Sequence, residues 1–90
     1  MKVQAELSLY PLCQNDLTEP IKQFIERLEN NRLKVKTGSM SSVVTGDSQA
    51  VFEGLQKAFE QVAGEYKVVV IAKVSNACPE VDMDKSFFEE

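Results

Sequence analysis

The sequence predicts an α+β domain: a four-stranded antiparallel sheet with two helices on one face, in the order βαββαβ. Three observations predict it. Residues 2–10 alternate apolar and polar as a half-buried strand does. Two stretches, from about Thr18 and from about Ser48, each carry one apolar stripe at helical spacing. KVVVIAKV at residues 67–74 forms a closing strand that is apolar on both faces, and VKTGSMSSVVTGD at 35–47 supplies a hairpin between the helices.

In the first strand Val3, Ala5, Leu7 and Leu9 point one way and Gln4, Glu6, Ser8 and Tyr10 the other. Pro11 cannot donate to a ladder and is expected to end the strand. Asp16 or Thr18 can cap the first helix, with Pro20 in its first turn, where a missing N–H costs little. Leu17, Ile21, Phe24, Ile25 and Leu28 then fall on one stripe, and the helix closes near Asn30 and Asn31.

The hairpin joins Leu33 to Thr37 with Ser42 to Thr45 across a turn at Gly38 to Ser41. Gly38 offers a position where positive φ is cheap, and Ser39 and Ser41 can hydrogen-bond their own backbone. Val35 and Val43 are its main apolar positions. Asp47 or Ser48 starts the second helix, which runs to about Ala63 with Gly64 just past its end and Val51, Phe52, Leu55, Phe59 and Val62 on its stripe. In the last strand Val68, Val70, Ala72 and Val74 face one side and Val69 and Ile71 the other.

Two right-handed crossovers place strands one and three in the centre and strands four and two at the edges, the ferredoxin-like arrangement. Its helices cover one face only. Val69 and Ile71 on the other face call for a second subunit, packed sheet to sheet or edge to edge, so a homo-oligomer, dimer or tetramer, is expected.

Ninety residues make one domain, assigned to residues 1–75, followed by an acidic tail over 76–90. The tail admits a short helix from Asp82 or Asp84, anchored by Phe87 and Phe88, or a loose end. Five acids and one Lys follow Ser75, whereas residues 1–75 hold nine charges of each sign, so the net charge of -4 belongs to the tail. A neutral body offers no footprint for phosphate backbones, and nucleic acid is not expected as a partner.

No apolar run reaches the length of a membrane span, and the Gln4 and Glu6 that interrupt the first apolar residues argue against a signal peptide. A cytoplasmic location is the expectation. Cys13 and Cys78 are expected as free thiols, with a bridge between them left open. With no His and two Cys, neither a metal site nor a His-based triad is expected. Arg27 and Arg32 are the only arginines, and neither sits in a glycine-rich anion loop, which disfavours an acylphosphatase.

AELSLYPL at 5–12, FIERL at 24–28 and VKTGSMSSVVTGD at 35–47 together resemble the small thiamine-binding protein family, which is ferredoxin-like. The likeness covers residues 3–74 and is strongest at the SLYP and TGxMS elements; NACPEVDMDKSFFEE departs from the more basic continuation that family carries. The resemblance implies an oligomeric, non-enzymatic binding protein for thiamine or its hydroxymethyl-pyrimidine half, with no cofactor beyond that ligand.

An aminopyrimidine presents ring-nitrogen acceptors and an amino donor on a flat π surface, and thiamine adds a cationic thiazolium. Such a ligand needs hydroxyl or backbone donors, an acceptor and an aromatic or thioether wall. The candidate binding residues are Glu6, Ser8, Tyr10, Thr37, Met40, Ser41 and Thr45. Hydroxyls of Ser8, Thr37 and Thr45 would hold the pyrimidine edge, Tyr10 and Met40 would wall the ring, and Glu6 would answer the amino group or the cation. Plainer roles stand beside these: Tyr10 as a roof on the sheet edge, Ser41 as a turn former, Thr37 and Thr45 as ordinary strand residues. Glu6 on a central strand must be paired, hydrogen-bonded or poised for a ligand, with Lys36 or Lys73 as its candidate partners. An amino-acid or metabolite-sensing regulatory module and a purely structural oligomer are the alternative functions.

Overall fold

The computed structural model describes residues 1–38 and 41–77. The chain runs β1 (Lys2–Leu12), α1 (Thr18–Glu29), β2 (Lys34–Thr37), β3 (Ser42–Asp47), α2 (Ser48–Ala63) and β4 (Lys67–Ser75). The strands form one antiparallel sheet in the order β2-β3-β1-β4, the ferredoxin-like α+β arrangement. Strands one and three are central, as the crossover rule requires. The short helix expected in the tail, Cys78, and the turn residues Ser39 and Met40 lie outside the described residues.

β1 pairs with β3 from Lys2 opposite Asp47 to Leu7 opposite Ser42, and with β4 from Gln4 opposite Ser75 to Leu12 opposite Lys67. Contrary to expectation, Pro11 does not end β1, which continues to Leu12. Past Leu7 the strand has only β4 beside it, so about half its backbone groups there face no neighbour and a proline is tolerated.

The core lies between the sheet and the helices. Val3, Ala5 and Leu7 of β1 and Val44 of β3 meet Phe24 and Leu28 of α1, Val51, Ala58 and Val62 of α2, and Leu33. All are buried, and each large apolar side chain so placed contributes roughly 1.5–3 kcal/mol.

Of the two helices only α2 starts on the side-chain cap its sequence suggests; at α1 the N-cap position is Leu17, with no side-chain cap, and neither Asp16 nor Thr18 fills it. Asp16 Oδ1 accepts from the Thr18 N–H at 2.9 Å, and Pro20 is buried in the first turn of α1. Asp47 accepts from the Gln49 N–H at 3.2 Å and from the N-terminal ammonium at 3.0 Å. Two stripe assignments differ from expectation. Leu17 precedes the first helical residue and is 45% exposed. In α2 the buried line is Val51, Gly54, Ala58 and Val62, while Phe52 and Phe59 are 54% and 39% exposed. At Gly54 the line has no room for a larger residue, because a Cβ there would stand 2.9 Å from Leu33 Cδ1. The phenylalanines are turned to the flank that faces β4.

Gly38 also works differently from expectation. No glycine has a positive φ among the described residues; instead the Gly38 N–H donates to the Ser41 carbonyl at 2.8 Å, and a Cβ at Gly38 would stand 3.0 Å from that oxygen. Close approach explains the glycine. The positive φ values belong to Cys13 and Arg32, at the two ends of the connections around α1.

Candidate functional site

Alternation along β1 sends Gln4, Glu6, Ser8 and Tyr10 to the face away from the helices. The registers bring their neighbours. Gln4 lies between Thr45 and Ser75, Glu6 between Val43 and Lys73, Ser8 opposite Ile71, and Tyr10 opposite Val69. Gln4 and Val43 are buried at 2% and 1% exposure, Glu6 is partly buried, and Tyr10, Val69 and Ile71 are about half exposed.

Glu6 is the organising group. Its Oε2 accepts from the Ser41 hydroxyl at 2.9 Å, and its Oε1 lies 3.8 Å from the Lys73 ammonium. The two contacts are unequal. Ser41 is partly buried at the hairpin end, while the Lys73 side chain is 76% exposed against 21% for Glu6. A contact of that length to a solvated ammonium is worth about 0–1 kcal/mol, whereas a hydrogen bond to a carboxylate is worth about 1.5–3. Glu6 is thus held on one side and loosely countered on the other.

The seven predicted site residues divide accordingly. Glu6 and Ser41 are in direct contact, and Ser8 and Thr45 share their face. Tyr10 shares it too but lies four residues from Glu6 along β1, ~13 Å away at strand spacing. Thr37 is on the other side: with Val35 it faces the helices, and it lines a cleft of about 90 Å³ with Leu7, Leu9, Phe24 and Ser41. Its hydroxyl therefore does not join those of Ser8 and Thr45. Met40 lies outside the described residues. Sequence reasoning named Lys73 as a possible partner of Glu6 and put Val69 and Ile71 on this face, but missed the Ser41 bond, which depends on how the hairpin end meets the central strand.

Two further concavities are present. A polar one of about 360 Å³ lies beside the start of α2, lined by Arg32, Asp47, Gln49 and Glu53 among others. There Asp47 is held below its ordinary carboxyl value, first by the hydrogen bond from the N-terminal ammonium, then by the Gln49 N–H. An apolar one of about 340 Å³ lies between α2 and β4, lined by Phe52, Leu55, Gln56, Phe59, Val70 and Ala72. The described residues include no cluster of three or more His, Cys, Asp or Glu placed to hold a metal, and no helix long and apolar enough to cross a membrane.

The family described as the YKOF-related family has a model that matches residues 2–81. Among solved structures, a hypothetical protein of Methanocaldococcus jannascii is 30% identical, over 82% of this chain and 78% of its own, with a TM-score of 0.77. A Streptococcus pneumoniae protein is 25% identical, over 83% of this chain and 86% of its own, also at 0.77. A proposed thiamine biosynthesis/salvage protein of Thermotoga maritima shares the fold at a TM-score of 0.81, with 17% identity over 96% of each chain. No curated protein matches.

Proposed function

The chain belongs to the YKOF-related family, and on that premise we propose that it is a non-enzymatic binding protein for thiamine or its hydroxymethyl-pyrimidine moiety. It acts in the cytoplasm as a homo-oligomer, with the ligand on the sheet face away from the helices, near a subunit interface. The observation that carries the reading is the state of Glu6: a partly buried carboxylate on a central strand, oriented by Ser41 and opposed by an exposed lysine 3.8 Å away. Such a group is ready to exchange a weak cation for a better donor.

In this reading the exocyclic amino group of the pyrimidine donates to Glu6, and Lys73 swings out into water. Ser8 and Thr45 flank the carboxylate and supply hydroxyls to the ring nitrogens. Tyr10, with Val69 beside it, is too far along the strand to touch the same ring. It would wall the distal part of a longer ligand, and a thiazolium cation over an aromatic face gains about 0.5–2 kcal/mol. Thiamine would therefore use both ends of the site and the free pyrimidine only the Glu6 end. The SLYP motif supports the ligand class, since Ser8 and Tyr10 fall on the strand that forms this face, as does the end of TGxMS, whose Ser41 bonds Glu6.

A second reading has its own observation. Lys73 beside Glu6 pairs a cation with an anion at about the spacing of an amino acid's two charged groups, which suits a regulatory module sensing such a zwitterion. Isothermal titration with thiamine, hydroxymethyl-pyrimidine and a panel of amino acids separates the two. The expected result is saturable binding of thiamine or the pyrimidine near one per subunit, weakened at least ~10-fold in Glu6→Gln. A response to an amino acid alone supports the regulatory module, and silence toward all of them leaves a structural oligomer.

A further inference from the structure

The sheet face away from the helices is closed at one end and open at the other. Toward β4, Tyr10, Val69 and Ile71 are 46%, 44% and 51% exposed, whereas toward β3, Gln4 and Val43 are 2% and 1% exposed. Strands beside a residue do not roof it. Gln4 has Thr45 and Ser75 as its cross-strand neighbours, too short to close over an amide that long, and Val43 takes no part in the cluster that the helices bury. Both helices pack on the opposite face, against Val3, Ala5, Leu7 and Val44. Gln4 and Val43 are buried within a single chain, so their cover belongs to the chain itself. Two stretches lie outside the described residues, 39–40 and 78–90. The first precedes Ser42, which is three residues, ~10 Å at strand spacing, from the rung where Thr45 opposes Gln4. The second is the acidic tail.

We propose that the tail, residues 78–90, folds back across the half of this face that lies over β1, β3 and β2, and covers Gln4 and Val43. Its point of departure suits this. β4 ends at Ser75, directly opposite Gln4, and the Ser75 hydroxyl accepts from the Ala77 N–H at 3.0 Å, which turns the chain at the border of the covered patch. Its length suits it too. The sheet from β4 to β2 is about 14 Å wide, three strand spacings, and thirteen residues span ~20 Å even as a helix.

Charge selects the same place. Alternation puts Lys2, Lys34, Lys36, Lys67 and Lys73 on this face, against Glu6 and Asp47, and Asp47 is already engaged by the N-terminal ammonium. The other seven acids of residues 1–75 lie on the helices and connections. The face is therefore cationic, and the tail brings five acids and one lysine to it. Lys36 stands opposite Val43 and Lys34 opposite Thr45, at the border of the buried patch, where the tail's carboxylates meet them. Val81, Met83, Phe87 and Phe88 supply apolar area to lay over Val43. The competing berth is the apolar groove beside Phe52 and Phe59, but α2 carries Glu53 and Glu60 against Lys57 and offers an acidic segment no excess of cations. Docked over Gln4 and Val43, the tail leaves Tyr10, Val69 and Ile71 open and confines approach to Glu6 to the β4 side. This inference rests on burial and charge, not on the ligand or the oligomer proposed above.

The test uses the full chain, with a nitroxide on Ser86→Cys in a Cys13→Ser, Cys78→Ser background, read by methyl NMR. The Val43 methyl signals should be lost to paramagnetic broadening, and those of Leu55, beside the α2 groove, should suffer less. Stronger broadening at Leu55 seats the tail in that groove and overturns the proposal, as does broadening at neither. An equal mixture of nitroxide-bearing chains with isotope-labelled, nitroxide-free chains should leave Val43 sharp. Broadening of Val43 in that mixture assigns the cover to a neighbouring subunit and overturns the fold-back. A second measurement leaves the tail unlabelled. In the double variant Lys34→Glu, Lys36→Glu, a soluble nitroxide should broaden the Val43 methyls toward the level seen at Ile71, with circular dichroism unchanged. Val43 as protected in that variant as in the parent overturns the pairing of tail acids with these lysines.

Discussion

The Ser41 hydroxyl lies 2.9 Å from Glu6 Oε2, joining residues 35 apart in sequence and tying the hairpin end to the central strand. One carboxylate oxygen is thereby oriented, while the other lies 3.8 Å from the Lys73 ammonium. Ser41→Ala should free Glu6 to turn and weaken thiamine or pyrimidine binding by about 10-fold, measured by calorimetry. Stability should fall by ~1–2 kcal/mol in urea titration, since one hydrogen bond to a partly buried carboxylate is lost. Unchanged affinity would remove Ser41 from the site.

Lys73 should behave in the opposite way. Its ammonium is 3.8 Å from Glu6 and well exposed, so Lys73→Ala should alter stability by no more than about 0.5 kcal/mol. Affinity for thiamine should hold or rise, because a competing cation has gone. If thiamine binding were instead lost in Lys73→Ala while amino-acid binding vanished with it, the lysine would be a ligand contact and the regulatory reading would gain.

Gly54 tests the close approach of α2 to the core. In an exposed helix Gly→Ala gains about 1 kcal/mol, but here the new Cβ would meet Leu33 Cδ1 at 2.9 Å and Asn31 Nδ2 at 3.2 Å. Asn31 is held by its own bond to the Ala50 carbonyl, 2.9 Å long, and cannot yield without losing it. Overpacking of ~1–3 kcal/mol should outweigh the propensity gain. Net destabilisation in chemical denaturation is the expected outcome, relieved in part by a simultaneous Leu33→Val.

Asp47 gives a pH dependence with a defined sign. Its carboxyl is held below its ordinary value of 3.8 by the N-terminal ammonium and the Gln49 N–H. A depressed folded value means that the contribution is fully present above the ordinary value and lost as pH falls through the folded one. Asp47→Asn keeps a capping oxygen for α2 but removes the charge. The thermal midpoint of the variant should lie below that of the parent at neutral pH, and the gap should close as pH drops below about 4. A gap that persists at lower pH would mean that the charge is not its source.

Much of this protein was legible in its sequence, because periodicity and caps are local. The alternation at Val3 to Tyr10, the stripe of Phe24 and Leu28, the Asp47 cap and the order of elements all follow from neighbours a few residues apart, and with the crossover rule they determine the sheet order. What only the tertiary structure decided is which residues meet across strands. The β1 registers put Ser41 and Lys73 on Glu6, hold Tyr10 far from both and leave Pro11 inside a strand, while the alternation of β2 sends Thr37 to the helical face. In α2 the nearness of Leu33 requires a glycine at 54, and the buried line runs through Val51, Gly54, Ala58 and Val62 while Phe52 and Phe59 stay exposed. Apolar character is written in the chain, but whether an apolar side chain is buried depends on what stands opposite it, and that is a property of the packed whole.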